Sequence, residues 1–146
     1  MVERFEKFSL SIAEISRCWH KLAAEEMKVY GLKGAHALYL TALYRYPEGI
    51  TVPELCELCL KDKSDASRML AILEKKELVR KEGGYGGKVQ LTEAGLQAAR
   101  QVRSRVCRAV EEAGKDLSAE EREIFTKALG SITENLQRLT CEGIPQ

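Results

Sequence analysis

Cysteines, histidines and a glycine-rich loop are the parts of this chain whose residue types and spacing could carry chemistry. Cys56 and Cys59 form a C-x-x-C pair, "CELC", the spacing of metal-binding turns and dithiol redox sites. A structural zinc needs four ligands, and the chain has no second C-x-x-C and no H-x-x-x-H to supply them. Five cysteines, an odd number at irregular spacings, fit reduced thiols better than a disulfide framework. The stretch "KEGGYGGKVQLT", Lys81 to Thr92, raises phosphate binding instead. A Walker loop would need Gly six positions before Lys88 and Ser or Thr directly after it, where this chain has Glu82 and Val89. The dinucleotide pattern G-x-G-x-x-G fails as well, since Gly84 and Gly86 would require Gly where Val89 stands. With no Ser-His-Asp grouping and no nucleotide loop, the sequence predicts a protein that is not an enzyme and uses neither metal nor cofactor.

The elements around these residues give the loop a different purpose. Lys88, Val89, Gln90 and Leu91 alternate as a strand does, and "LVRKE", Leu78 to Glu82, reads as the antiparallel partner, so the glycines turn a β-hairpin. Upstream, Thr51 stands three residues before Glu54 with Pro53 between them, a capping-box start for a short helix whose inner stripe is Val52, Leu55, Cys56 and Cys59. That stripe makes the two cysteines core residues before it makes them ligands. Asp62 caps the next helix, with Ala66, Met69, Leu70 and Leu73 facing inward at helical spacing. Ser64, Arg68, Ala71 and Lys75 then lie on the opposite face, with Ser67 and Ile72 beside them.

Two short helices, a tight turn between them and a two-stranded hairpin after them make a winged helix-turn-helix. In such a unit the second helix enters the DNA major groove and its first turns reach base edges. Arg68 is the candidate for bidentate contact with guanine. Ser64 and Ser67 would touch bases or phosphates, Lys63 would neutralise a phosphate, and Lys75 shares their face. Lys88 and Tyr85 on the wing would lie along the adjacent backbone or minor groove.

The charge distribution agrees. Net charge is only +1, yet residues 61–108 carry 12 basic and 6 acidic side chains while 109–146 carry 4 and 8. Such an uneven division suits a chain that offers one face to a polyanion. Arg100, Arg103, Arg105 and Arg108 spread over more than half a helix circumference, and pairing with the acidic C-terminal helix of either chain is the expected use for them.

The flanking helices are too long for a winged-helix lobe to cover. Phe5, Phe8, Ile12, Ile15, Trp19 and Leu22 recur at spacings of 3 and 4, as do Phe125, Leu129, Ile132, Leu136 and Leu139 near the other end, and a third helix runs through Leu96, Val102, Val106 and Val110. Apolar stripes left uncovered are usually interfaces, so a homodimer follows. Two-fold symmetry would set two reading helices about 34 Å apart, matching a pseudo-palindromic operator in double-stranded DNA. The N-terminal "MVERFEKF" does not read as a secretory signal, and the longest uncharged stretch, Gly34 to Tyr44, falls far short of the roughly 20 apolar residues of a membrane span. A cytoplasmic location with no membrane partner is therefore expected.

From Tyr30 to Gly95 the chain resembles the MarR (multiple antibiotic resistance regulator) family of winged helix-turn-helix transcription factors. "ITVPELCEL", "KDKSDASRMLAILEKKELVRK" and "VQLTEAG" carry the resemblance, in the family's order and spacing. It implies a mainly α fold with a small β-hairpin wing. The single domain 1–146 would hold a DNA-binding lobe at 32–92 and dimerisation helices at 1–30 and 93–141. It also implies a small aromatic or anionic effector held between dimer helices and lobe, which points to Trp19, His20, His36 and Tyr39, and it makes Cys18 a candidate thiol sensor. The wing tip "GGYGG" lacks the family's Asp and Arg, and Glu77 stands where the family has Gly, so a different end to the reading helix is expected. Those departures, with Ala71 and Ile72, motivate one alternative, a winged-helix protein-interaction module with little DNA affinity, and Cys18 motivates another, a thiol-based redox-sensing regulator.

Overall fold

A computed structural model describes residues 1–83 and 86–146. Contacts within the chain divide it into two compact units, Met1–Val106 and Cys107–Gln146.

The first unit opens with α1, Val2–Met27, extended by a 3₁₀ turn at Lys28–Tyr30. Only its last residue, Met27, is buried. Next comes α2, His36–Tyr44, which runs through the middle of the core: six of its nine residues are buried, as expected of a helix that is apolar around its whole circumference. Strand β1, Ile50–Thr51, leads directly into α3, Val52–Cys59. The predicted capping box is present: the Glu54 amide donates to Thr51 Oγ1 at 3.4 Å, and Glu54 Oε2 accepts from the Thr51 amide at 2.9 Å. The Thr51 amide, and the Thr51 hydroxyl donating to the same oxygen at 2.8 Å, hold the Glu54 carboxyl below its ordinary pKa. After α3 comes α4, Lys63–Lys75, whose first free amide is satisfied by Asp62 Oδ1 accepting from Asp65 N at 2.7 Å. Ala66, Leu70 and Leu73 of α4 are buried against the core, and Met69 packs at its edge.

Strands β2, Val79–Glu82, and β3, Lys88–Leu91, form the predicted hairpin, with Lys81 opposite Val89 and Glu82 opposite Lys88. The sheet nevertheless has three strands, in the order β1-β3-β2, where the sequence predicts two. Ile50 pairs with Val89 and Thr51 with Lys88. A two-residue strand has no alternation to display, so only its partner defines it.

Helix α5, Glu93–Ala113, begins where the hairpin ends. Thr92 joins the two: its hydroxyl accepts from Gly95 N at 3.1 Å, capping α5, and donates to the Glu77 carbonyl at 2.6 Å, tying down the residue that follows α4. At Gly95 a β-carbon would overlap the Leu78 carbonyl oxygen, so backbone meets backbone where only glycine fits. These two contacts are the physical content of the "LTEAG" motif. Glu77 has φ of +58°, the left-handed conformation that glycine usually supplies, and Leu78 N donates to Leu73 O at 2.9 Å. The expectation that α4 ends differently without glycine is therefore corrected. The usual C-terminal turn forms, with glutamate held in a conformation it disfavours.

The second unit contains the end of α5 and α6, Ala119–Glu142, which starts at a capping box between Ser118 and Glu121. No residue of this unit is buried. No helix of the described residues is long and apolar enough to cross a membrane.

Candidate nucleic-acid interface

The burial of Ala66, Leu70 and Leu73 dictates what α4 shows to solvent. Lys63, Ser64, Ser67 and Arg68 are all exposed on its first turns and together line one shallow depression of about 500 Å³. Lys75, in the last turn, is exposed as well but is not among the residues lining it. The Arg68 side chain is 75% exposed, and its guanidinium lies 3.7 Å from Asp65 Oδ1, a loose i, i+3 pair.

Asp65 has a second partner. Tyr39, fully buried on α2, donates its hydroxyl to Asp65 Oδ2 at 2.7 Å. Burial and the neighbouring carboxylate both push the Tyr39 phenol's pKa well up, so it stays a proton donor. By its place in the first turn Asp65 is simply an acidic residue at the positive end of α4. Nothing in one dimension signals a contact 26 residues long in sequence.

The wing adds charge unevenly. Lys81 of β2 shares a groove of about 760 Å³ with Lys63 and Ser67, floored by Val52, Pro53 and Cys56. Lys81 escaped the sequence reading although it stands in the strand "LVRKE". Lys88 opens onto a different groove, with Glu54 and Glu57, and so lies apart from the α4 depression. Gly87 sits across the hairpin from Glu82, whose carbonyl a β-carbon at that position would overlap. Tyr85 lies outside the described residues. Arg80, in contrast, is engaged on the sheet surface, donating to Gln90 Oε1 at 3.0 and 3.2 Å.

The four residues considered for an effector do not form one surface. His36 and Tyr39 are core residues, at 1% and 0% exposure, while Trp19 is half-buried and His20 exposed. His36 Nδ1 meets the Lys33 backbone, and burial pushes the His36 pKa down. Both are buried because α2 runs through the core, which an aromatic pattern cannot reveal. The Cys18 thiol is exposed and faces the Glu14 carboxylate at 3.8 Å, while Arg17 is engaged by the same carboxylate at 2.6 Å. Cys59 is buried, with its pKa pushed up by that burial, and Cys56 is half-buried. Among the described residues no group of three or more His, Cys, Asp or Glu could hold a metal ion.

The arginines of α5 also find other partners than expected. Arg105 pairs with Glu26 of α1 at 3.0 Å, and Arg103 stacks 4.6 Å above the Tyr44 ring. Glu26 and Tyr44 intercept these two because α1 and α2 bring them within reach, which charge pattern does not encode.

Comparison with known proteins gives this geometry a context. Residues 30–88 match the MarR family model. No curated protein matches the sequence. Among solved structures, a MarR transcriptional regulator from Methanosarcina mazei Go1 superposes with a TM-score of 0.81 at 21% identity, covering 92% of each chain. A MarR-family chain from Listeria monocytogenes complexed with 26mer DNA gives 0.81 at 23% identity, over 93% of this chain and 95% of its own. The MepR–DNA complex of S. aureus gives 0.80 at 20% identity, over 88% and 97%. Residues 30–88 thus match the MarR family model, and about nine-tenths of the chain shares the winged-helix fold of these MarR-family structures.

Proposed function

We propose that this protein is a homodimeric transcriptional regulator that reads duplex DNA with α4 and works in the cytosol. One observation carries the reading: α4 buries Ala66, Leu70 and Leu73 and turns Lys63, Ser64, Ser67 and Arg68 outward as one cationic, hydrogen-bonding surface at its N-terminal end. Arg68 would bind guanine O6 and N7, Ser64 and Ser67 would bond bases or phosphates, and Lys63, Lys75 and Lys81 would neutralise phosphates. Lys88 and Tyr85 would follow the backbone beside the wing. The Listeria and S. aureus relatives that were solved with DNA support this assignment.

Uncovered apolar faces support the dimer. Phe5, Phe8, Ile12, Ile15 and Leu22 of α1 are 41–67% exposed, and Phe125, Leu129, Ile132 and Leu136 of α6 are 37–53% exposed. Each face is large enough to require cover, and a second copy provides it by symmetry. An effector would act by binding two spacings of the reading helices with different affinity.

The test is DNA binding by the intact protein, followed by fluorescence anisotropy against duplex from its own upstream region at several salt concentrations. The regulator reading requires log affinity to fall by about 0.9 per neutralised phosphate for each tenfold rise in salt. It also requires a loss of about 1–3 kcal/mol on Arg68→Ala. A protein-interaction module is the second reading, motivated by Ile72, which is 39% exposed on α4. Salt-insensitive binding, unaffected by Arg68→Ala, would favour it.

A further inference from the structure

Arg68 is three-quarters exposed, and a long side chain in that state samples many rotamers. An arginine that discriminates guanine must present its planar fork in one orientation, because bidentate contact depends on angle as well as distance. Something on the protein has to hold it. Asp65 is one turn earlier on the same helix face, with only 23% of its side chain exposed and Oδ1 3.7 Å from the Arg68 guanidinium. A carboxylate at a helix start can itself rotate or turn to free amides. Here it is pinned from behind: Tyr39, with 0% exposure, donates to Oδ2 at 2.7 Å and leaves Oδ1 for the arginine. The backbone at this point is fixed too, since the Asp65 amide donates to Asp62 Oδ1 at 2.7 Å. The chain of contact thus runs from a core phenol, through a half-shielded carboxylate, to an exposed guanidinium.

We propose that Tyr39 is a positioning residue for base readout: acting through Asp65 it orients Arg68, and so sets sequence preference without touching DNA. This rests on the reading of α4 as the DNA-contacting helix. Beyond orientation, the Asp65 charge offsets one cation at the protein surface, which disfavours idle attachment of Arg68 to phosphate and favours the base edge.

The link separates specificity from affinity, and that is how it is tested. The full-length protein would first select preferred duplexes from a randomised pool. Affinities for the preferred duplex, for the same duplex altered at the guanine lost on Arg68→Ala, and for unrelated DNA would then be measured at one salt concentration. A bidentate arginine gives roughly 5- to 150-fold discrimination at its base. Tyr39→Phe should cut that discrimination by about threefold or more while weakening unrelated DNA much less, with the salt slope unchanged, as loss of one hydrogen bond to a charged group implies. Asp65→Asn should cut the discrimination likewise, with unrelated DNA bound no more weakly because a negative charge is removed, and combining it with Tyr39→Phe should add little to the lost discrimination, because both break one link. If Tyr39→Phe unfolds the protein, Asp65→Asn, at a partly exposed position, reads the link from its other end.

Equal weakening on every sequence would reduce Tyr39 to a structural residue and overturn the inference. Unchanged discrimination in Tyr39→Phe, or additive effects in the double variant, would also overturn it, while leaving the regulator reading intact. Failure of the wild-type protein to bind any duplex in a salt-dependent way would overturn both.

Discussion

Thr92 joins the end of α4, the hairpin and α5 through one hydroxyl, and replacing it with valine keeps the shape while removing both hydrogen bonds. The first bond lost is the cap on Gly95 N, 3.1 Å long, for which loss of a threonine cap costs about 1 kcal/mol within a range of about 0.5–2. The second is the 2.6 Å bond to the Glu77 carbonyl. Because Glu77 is exposed, its carbonyl can rehydrate, so this bond counts near the lower end of the usual range of about 0.5–1.5 kcal/mol. Thr92→Val should therefore destabilise the protein by about 1.5 kcal/mol, with Thr92→Ser, which retains the hydroxyl, within about 0.5 kcal/mol of wild type. Urea unfolding followed by far-UV circular dichroism measures this, at one protein concentration because an oligomer's stability depends on concentration. If valine is tolerated as well as serine, or serine costs as much as valine, the hydroxyl is not what joins these elements.

Three further outcomes follow from particular residues. Glu77 holds a φ of +58°, so Glu77→Gly should stabilise the protein by about 0.5–1 kcal/mol in the same assay; a loss of stability would show that the glutamate makes an offsetting contact. His36 is buried and its pKa is depressed below the ordinary 6.5, so the folded state keeps it neutral while the unfolded chain takes up a proton. Stability from this site is full above pH 6.5 and declines as pH falls through and below it. A urea midpoint that stays level from pH 7.5 down to 5.5, or falls just as steeply in His36→Leu, would refute this. Ile132 is 37% exposed in the single chain, so Ile132→Glu should leave the fold intact yet strip the proposed dimer of about 3 kcal/mol or more, a weakening of roughly a hundredfold or greater by sedimentation. An unchanged dimer would place the interface elsewhere.

Local physics explains why so much of this molecule could be read in one dimension. Caps at Thr51, Asp62, Thr92 and Ser118 need only their own side chain and an amide three residues on, so residue type and spacing suffice to find them. The buried stripe of α4 follows from the 3.6-residue period, and with it the outward direction of Ser64, Ser67 and Arg68. Uncovered stripes on α1 and α6 were legible for the same reason: a chain of this size has no surface left to cover them.

What tertiary structure alone decided are the meetings between distant segments. Strand β1 exists because Ile50 and Thr51 lie against Val89 and Lys88. The central course of α2 is likewise tertiary: it buries His36 and makes Tyr39 the partner of Asp65. Arg105 and Arg103 found Glu26 and Tyr44 instead of the acidic C-terminal helix. Periodicity states which way a side chain points from its own helix axis, whereas the identity of what it meets there depends on how helices cross, and that information is spread over the whole core.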